Sequence, residues 1–292
     1  MSWLNFNNLS IGRILEFEGP FMSVYDFFPQ ATPELLQPHR CWLEPGAIQP
    51  NTDMLLMPIQ SYVLRTDGLT ILVDSCIGNH KTVPWFPKWN KKTDNVYFYN
   101  MKRMGVHPDE IDYVFCTHLH VDHTGWNTRL LDGRWVPTFK NAKYILSKLE
   151  VEHAKFSYEK FKDQTYVENV LPLLEAKQAV LVDENYQLTD KIYLEHSPGH
   201  TPGHCTLHFN AKSHHGLLTG DMIHSPIQCQ YPDWNFKFDV DKNLAAKTRR
   251  TFLEKHADTD SMIFTAHFPL PSAGKIIKKG EAFKFEYIEW TY

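Results

Sequence analysis

"FCTHLHVDHTGW", residues 115–126, places three histidines and an aspartate within six positions: His118, His120, Asp122 and His123. The run continues from "IDYVF" (111–115), a short apolar stretch that reads as a buried strand. Side chains alternate faces along an extended backbone, so His118 and His120 project to the same side and reach one cation. Asp122 and His123 follow where the chain turns, which aims them at a second cation beside the first. Imidazoles mixed with a carboxylate form a donor set that suits zinc.

A second histidine cluster, "EHSPGHTPGHCTLH" (195–208), spaces His196, His200, His204 and His208 four residues apart, as on one helix face. Pro198-Gly199 and Pro202-Gly203 exclude that helix, so the segment reads as strand, tight turn and strand. His200, held inside the turn, is placed as a third ligand for the first cation would be. His204 and His208 alternate with Cys205, Leu207 and Phe209 and read as structural or supporting groups. His214 and His215 fall at an expected hairpin tip and read as solvated. Asp221 ends "LLTGD" and His267 ends "MIFTAH", both at strand ends. The pattern then offers His118, His120 and His200 to one ion and Asp122, His123 and His267 to another, with Asp221 between them.

Working outward, "QSYVLRT-DG-LTILVDS" (60–75) reads as a hairpin turning at Asp67-Gly68. "TDNVYFYNMKRMG" (93–105) is a helix with a Thr/Asp cap and a terminal glycine. "AKYILS" is a strand after a loop, and helical patterns occupy 148–161 and 164–178. "KIYLEHS", "HCTLHFN" and "HGLLTGD" are strands, "DVDKNLAAKTRRTFLEKHA" is a helix, "SMIFTAH" is a strand, and "GKIIKKG-EAFKFEYIE" closes the chain as a hairpin. Strand and helix alternate in both halves, which predicts an α/β architecture of two sheets between helices. No linker composition appears, so residues 1–292 are expected to form one domain.

The chain has 292 residues, 42% of them hydrophobic and 22% charged, with a formal net charge of −4. It lacks the basic runs that track phosphates, so nucleic acid is not an expected partner. No stretch approaches the roughly 18 apolar residues of a membrane span, and the N-terminus has no signal-peptide pattern. Five cysteines (41, 76, 116, 205, 229) are scattered with no CxxC pair, which points to reduced thiols in the cytoplasm. The apolar, Pro-rich segment 1–50 leaves a homodimer open.

The order "THLHVDHTG", "SPGHTPGH", "TGD" and "AH" resembles the metallo-β-lactamase-fold hydrolases, and the match runs over most of the chain. The resemblance implies a four-layer αβ/βα sandwich with a dinuclear site. His118, His120 and His200 would hold the first metal, Asp122, His123 and His267 the second, and Asp221 would bridge them. Asp74, in "VDS" (73–75), would steady a ligand. The most similar groups are the quorum-quenching N-acyl homoserine lactonases and the methyl parathion hydrolase-like enzymes. Such lactonases typically carry a tyrosine three residues after the bridging aspartate. Here that position is His224, in "GDMIHSPIQ", as in the methyl parathion hydrolase branch.

The expected cofactors are two divalent ions, zinc first, with iron, manganese and cobalt as alternatives. A pair about 3.5–4 Å apart would make hydroxide available near neutral pH. That hydroxide is expected to attack a lactone or aryl ester carbonyl of a partly apolar small molecule. Asp122 would accept and return the proton, and His224 would position or polarise the substrate. Trp85, Phe86 and Trp89, in a Pro-broken loop after "TILVDS", would line the pocket with Phe28, and with Phe21 and Phe27. Rival readings are a phosphotriesterase on the same scaffold, a di-iron redox protein, and a metal-binding protein without catalysis.

Overall fold

The computed structural model describes residues 2–290 apart from 184 and 213. Its strands are β1 (Leu4–Phe6), β2 (Leu9–Ser23), β3 (Met54–Thr66), β4 (Leu69–Val73), β5 (Tyr113–Phe115), β6 (Thr128–Leu131), β7 (Arg134–Pro137), β8 (Lys143–Ser147) and β9 (Ala179–Val182), then β10 (Ile192–His196), β11 (Cys205–Ala211), β12 (His214–Leu218), β13 (Met262–Phe264), β14 (Ala273–Lys279) and β15 (Ala282–Tyr287). They form a seven-stranded sheet in the order β1-β2-β3-β4-β5-β8-β9 and a six-stranded sheet running β10 to β15. A separate ribbon joins β6 to β7, where the sequence reading saw a loop.

Contacts divide the chain into two compact units. One takes residues up to Glu16 with Ile59–Tyr186, and the other takes Phe17–Pro58 with Gln187 onward. Two of the three boundaries fall inside strands, within β2 and at Pro58 and Ile59 of β3, and the third, Tyr186–Gln187, lies between β9 and β10.

In the first unit, Asp67 and Gly68 both adopt positive φ (51° and 79°), the turn that matches the twist of β3 and β4. β4, β5, β8 and β9 are parallel neighbours, and parallel strands need crossovers. Helices Val96–Arg103 and Lys148–Phe161 lie in two of them. The Asp94 carboxylate accepts from the Val96 N–H, and Ser147 accepts from the Glu150 N–H, so both helix starts are capped. Residues 164–178 do not form the single helix expected. A π-helical turn, Tyr166–Val170, precedes an α-turn, Leu171–Glu175, because Pro172 has no N–H to continue the ladder. Val73 and Phe115 pair at the carboxyl ends of β4 and β5, so Asp74 and the segment from Cys116 leave the sheet at one edge.

In the second unit β10, β11 and β12 are antiparallel, while β12 and β13 run parallel with Leu218 opposite Phe264. Leu217, Ile263, Phe252, Leu253, Ile276 and Phe285 belong to the core of this unit. Helix Lys242–His256 is capped by Asp241, which accepts from the Leu244 N–H. Among the described residues no helix is long and apolar enough to cross a membrane.

A further sequence expectation is overturned in the second unit. His215 is not solvated: its Nε2 lies 3.0 Å from His208 Nδ1, and its Nδ1 lies 3.1 Å from Ser261 Oγ. β12 begins at His214, so alternation exposes His214 and turns His215 toward His208 and the His256 ring, 5.8 Å away.

Candidate metal centre

The donors of the first unit come from one bend. β5 ends at Phe115, and the chain then passes His118 and His120 into a short helical turn, Val121–Thr124. His118 Nε2 and His120 Nδ1 stand 3.0 Å apart, and the His118 and His123 ring centroids are 4.1 Å apart. Asp122 Oδ2 is 3.7 Å from His123 Nε2. His118 and His123 are buried, whereas His120 and Asp122 keep partial exposure.

Asp74 organises this bend. Its Oδ2 is 2.8 Å from His123 Nδ1, and its carboxylate accepts from the Thr117 N–H (2.8 Å) and the Thr117 hydroxyl (3.0 Å). Asp74 sits at φ 57°, a left-handed conformation uncommon for a residue with a side chain. The carboxylate hydrogen bonds hold it there. The bend also needs a glycine at 125, where an added Cβ would fall 1.7 Å from the Ile77 carbonyl oxygen. Below it, Glu16 accepts from the Trp126 indole N–H (2.7 Å) and pairs with Lys92 (2.7 Å).

The donors of the second unit come from three loops. His200 stands in the turn between β10 and β11, and its Nδ1 is 2.8 Å from Asp239 Oδ1. Gly199 (φ 132°) lies against the start of helix Lys242–His256, since a Cβ there would be 2.2 Å from the Ala245 nitrogen. Asp221 and His267 each follow, three residues on, the paired strand ends Leu218 and Phe264. His267 Nε2 is 2.9 Å from Asp221 Oδ1, while His267 Nδ1 is 3.0 Å from the Pro58 carbonyl oxygen. His200 Nε2 is 3.5 Å from Asp221 Oδ2.

His224 Nε2 is 3.1 Å from Asp221 Oδ2, and the ring stacks on His267 at 5.9 Å. The Gln228 side-chain Oε1 accepts from the His224 backbone N–H at 2.7 Å. Burial pushes the His224 imidazole below its usual pKa, against the opposing pull of Asp221. Burial alone would raise the Asp239 carboxyl, but the bond to His200 brings it below its ordinary value.

The aromatic residues divide. Phe27 meets the His224 ring at 5.4 Å and stacks on Phe236 at 4.2 Å. Phe28 is buried one step behind, against Phe27 and Trp234. Trp85, Phe86 and Trp89 pack on one another, with Trp89 buried and Trp85 55% exposed.

Sequence reasoning missed Asp239, Thr117 and Gln228. Asp239 was hidden because Asp241, two residues on, already accounts for the helix cap.

These donors fit divalent metal ions. An imidazole whose Nδ1 is held by a carboxylate presents Nε2 in a fixed direction with raised basicity, the usual arrangement of a metal-ligating histidine. His123 with Asp74 and His200 with Asp239 both have it.

The profile of the Metallo-beta-lactamase superfamily matches residues 55–267. An N-acyl homoserine lactonase from a Bacillus species is 29% identical over 247 residues, covering 78% of this chain and 89% of its own. The N-acyl homoserine lactonase AttM of Rhizobium radiobacter is 30% identical over 182 residues, 58% of this chain and 62% of its own. Among solved structures, the hydrolase AbOPH of the beta lactamase superfamily aligns with a TM-score of 0.81 at 21% identity, over 99% of this chain and 98% of that one. AidC, a dizinc quorum-quenching lactonase in complex with a homoserine product, aligns at 0.78 and 22% identity, over 100% and 98%. The α/β fold expected from sequence is the fold of these structures.

Proposed function

Because the chain belongs to the metallo-β-lactamase superfamily, we propose that residues 1–292 act as one metal-dependent hydrolase that opens a lactone or aryl ester of a partly apolar small molecule. His118, His120 and His200 would hold one divalent ion and Asp122, His123 and His267 the other, with Asp221 serving both. Zinc is the ion best suited to this donor set, and a dizinc relative of the same fold supports it. The observation that carries the reading is the pair of carboxylate-held imidazoles, His123 on Asp74 and His200 on Asp239, each at 2.8 Å.

Bound ions of this kind acidify water and polarise an acyl oxygen. The chain supplies the rest. Asp122, partly exposed and fixed by the turn, accepts a proton and returns it to the leaving oxygen. His224, buried and uncharged, orients the acyl group against Asp221. Phe27, which faces His224, and the exposed Trp85 favour a substrate with an apolar part. The lactonase relatives favour a lactone. His224, standing where such lactonases typically have tyrosine, favours the phosphotriester reading as the second choice. Five free thiols, four of them buried, suit a reducing compartment such as the cytoplasm.

A turnover screen of zinc-replete protein on acyl lactones, aryl esters and a paraoxon-like triester tests the assignment. Lactone or ester turnover well above triester turnover is expected. Triester turnover in excess would transfer the assignment to the second reading, and inertness toward all three classes would refute hydrolysis.

A further inference from the structure

We propose that His204 is a positioning residue that sets the backbone of Asp221, and through it the angle at which that carboxylate meets the metal ions. The inference rests on the reading of Asp221 as a metal ligand.

Asp221 is the middle residue of a single 3-10 turn, Gly220–Met222, and its own backbone departs from helical geometry. It follows Gly220, at φ 50°, and itself sits at φ −95°, ψ 20°, beyond the end of β12. A buried backbone N–H is costly to leave unpaired. His204 provides the acceptor. The Asp221 N–H donates to His204 Nε2 at 3.0 Å, and His204 is fully buried.

That bond fixes the chemistry of the ring. A nitrogen that accepts from an amide carries no proton, so the proton of the neutral imidazole is on Nδ1. Nδ1 lies 2.7 Å from Ser197 Oγ, which takes that proton as acceptor. Ser197 is held in turn, since its backbone N–H donates to the His204 carbonyl at 2.9 Å across the ends of β10 and β11. Ser197 therefore selects the tautomer, the tautomer leaves Nε2 open as an acceptor, and Nε2 orients the Asp221 peptide. From that peptide the Asp221 carboxylate reaches His267 at 2.9 Å and His224 at 3.1 Å. His204 is not among the residues read as ligands of the expected ions. The imidazole is needed for its lone pair.

Substitution separates lone pair from bulk. In His204→Gln the side-chain oxygen can accept from Asp221, whereas His204→Met fills the cavity without an acceptor of that strength. Each protein is stripped, loaded with Co2+ alone, and followed by its visible absorption spectrum and by competition with a chelator. Loss of an oriented supporting group typically weakens metal binding ~10–100-fold. H204M should fall in that range with altered absorption bands, H204Q should stay within about 3-fold of the parent, and Ser197→Ala should lie between. Parent-like affinity and spectrum in H204M, or equal damage in H204Q and H204M when both fold, would overturn the inference. If H204M does not fold, S197A decides, and an unchanged spectrum and affinity there count against it. A parent protein that takes up no pair of Co2+ ions instead refutes the metal-site reading.

Discussion

Two groups of histidines in this molecule show opposite uses of the same side chain. His123 and His200 are each held at Nδ1 by a buried carboxylate, which favours directing Nε2 outward at a cation. His208, His215 and His256 lie against one another, with His208 Nε2 3.1 Å from Thr206 Oγ1 and 3.3 Å from the half-exposed Glu195 carboxylate. His208 bonds His215, and His215 and His256 both meet Ser261 Oγ (3.1 and 3.2 Å). With Lys255 close by, burial first and then the neighbouring charges push His208 down to about 3 and His256 to about 4. A buried carboxylate at Nδ1 sets an imidazole up as a ligand, whereas burial among other imidazoles beside Lys255 keeps it a neutral packing group.

The sharpest way to break this contrast is to remove the shared carboxylate of the first kind of site. Asp221→Ala should lose both ions by elemental analysis and, with them, turnover by several orders of magnitude. His224→Phe keeps the packing against Phe27 and Phe236 but removes the polar ring. It should retain its ions and lose roughly 100-fold in kcat, the scale of one electrostatic donor. Asp239→Asn and Asp74→Asn weaken the support of one imidazole each. Chelator competition should show metal affinity reduced ~10–100-fold, with the ions still bound at saturating zinc.

The stacked group answers to pH instead. A histidine with a depressed folded pKa takes its proton more readily once the chain unfolds. Its stabilisation is complete above about 6.5 and is lost as pH falls toward 3–4. Metal-free protein should therefore melt lower at pH 5 than at pH 7.5. His215→Gln, which breaks the stack, should shrink that drop by about 2–4 °C, the size of ~1 kcal/mol in a chain of this length. An identical pH slope in the variant would mean that other groups carry the acid sensitivity.

How far the sequence discloses this depends on whether partners are near in order. His118, His120, Asp122 and His123 lie in one bend, so period-two alternation after an apolar strand was enough to read them together. The Asp67-Gly68 hairpin and the helix capped by Asp241 were legible because their signals are local. Asp239 was not, because its partner His200 is far away in sequence and its neighbour already explained the helix start. His215 was misread for a related reason. Its strand starts one residue earlier than a hairpin tip would allow, and a shift of one position turns a solvated ring inward. The break at 166–175 was visible in principle as Pro172, but a helical period on both sides concealed it.

The central claim is that these donors grip two cations, and anomalous diffraction from a zinc-loaded crystal addresses it directly. The account predicts two zinc peaks per chain, one bonded by His118, His120 and His200 and the other by Asp122, His123 and His267. Asp221 should touch both, with nitrogen–zinc distances of about 2.0–2.1 Å. No peak, a single peak, or zinc bound elsewhere while these imidazoles turn away would contradict it.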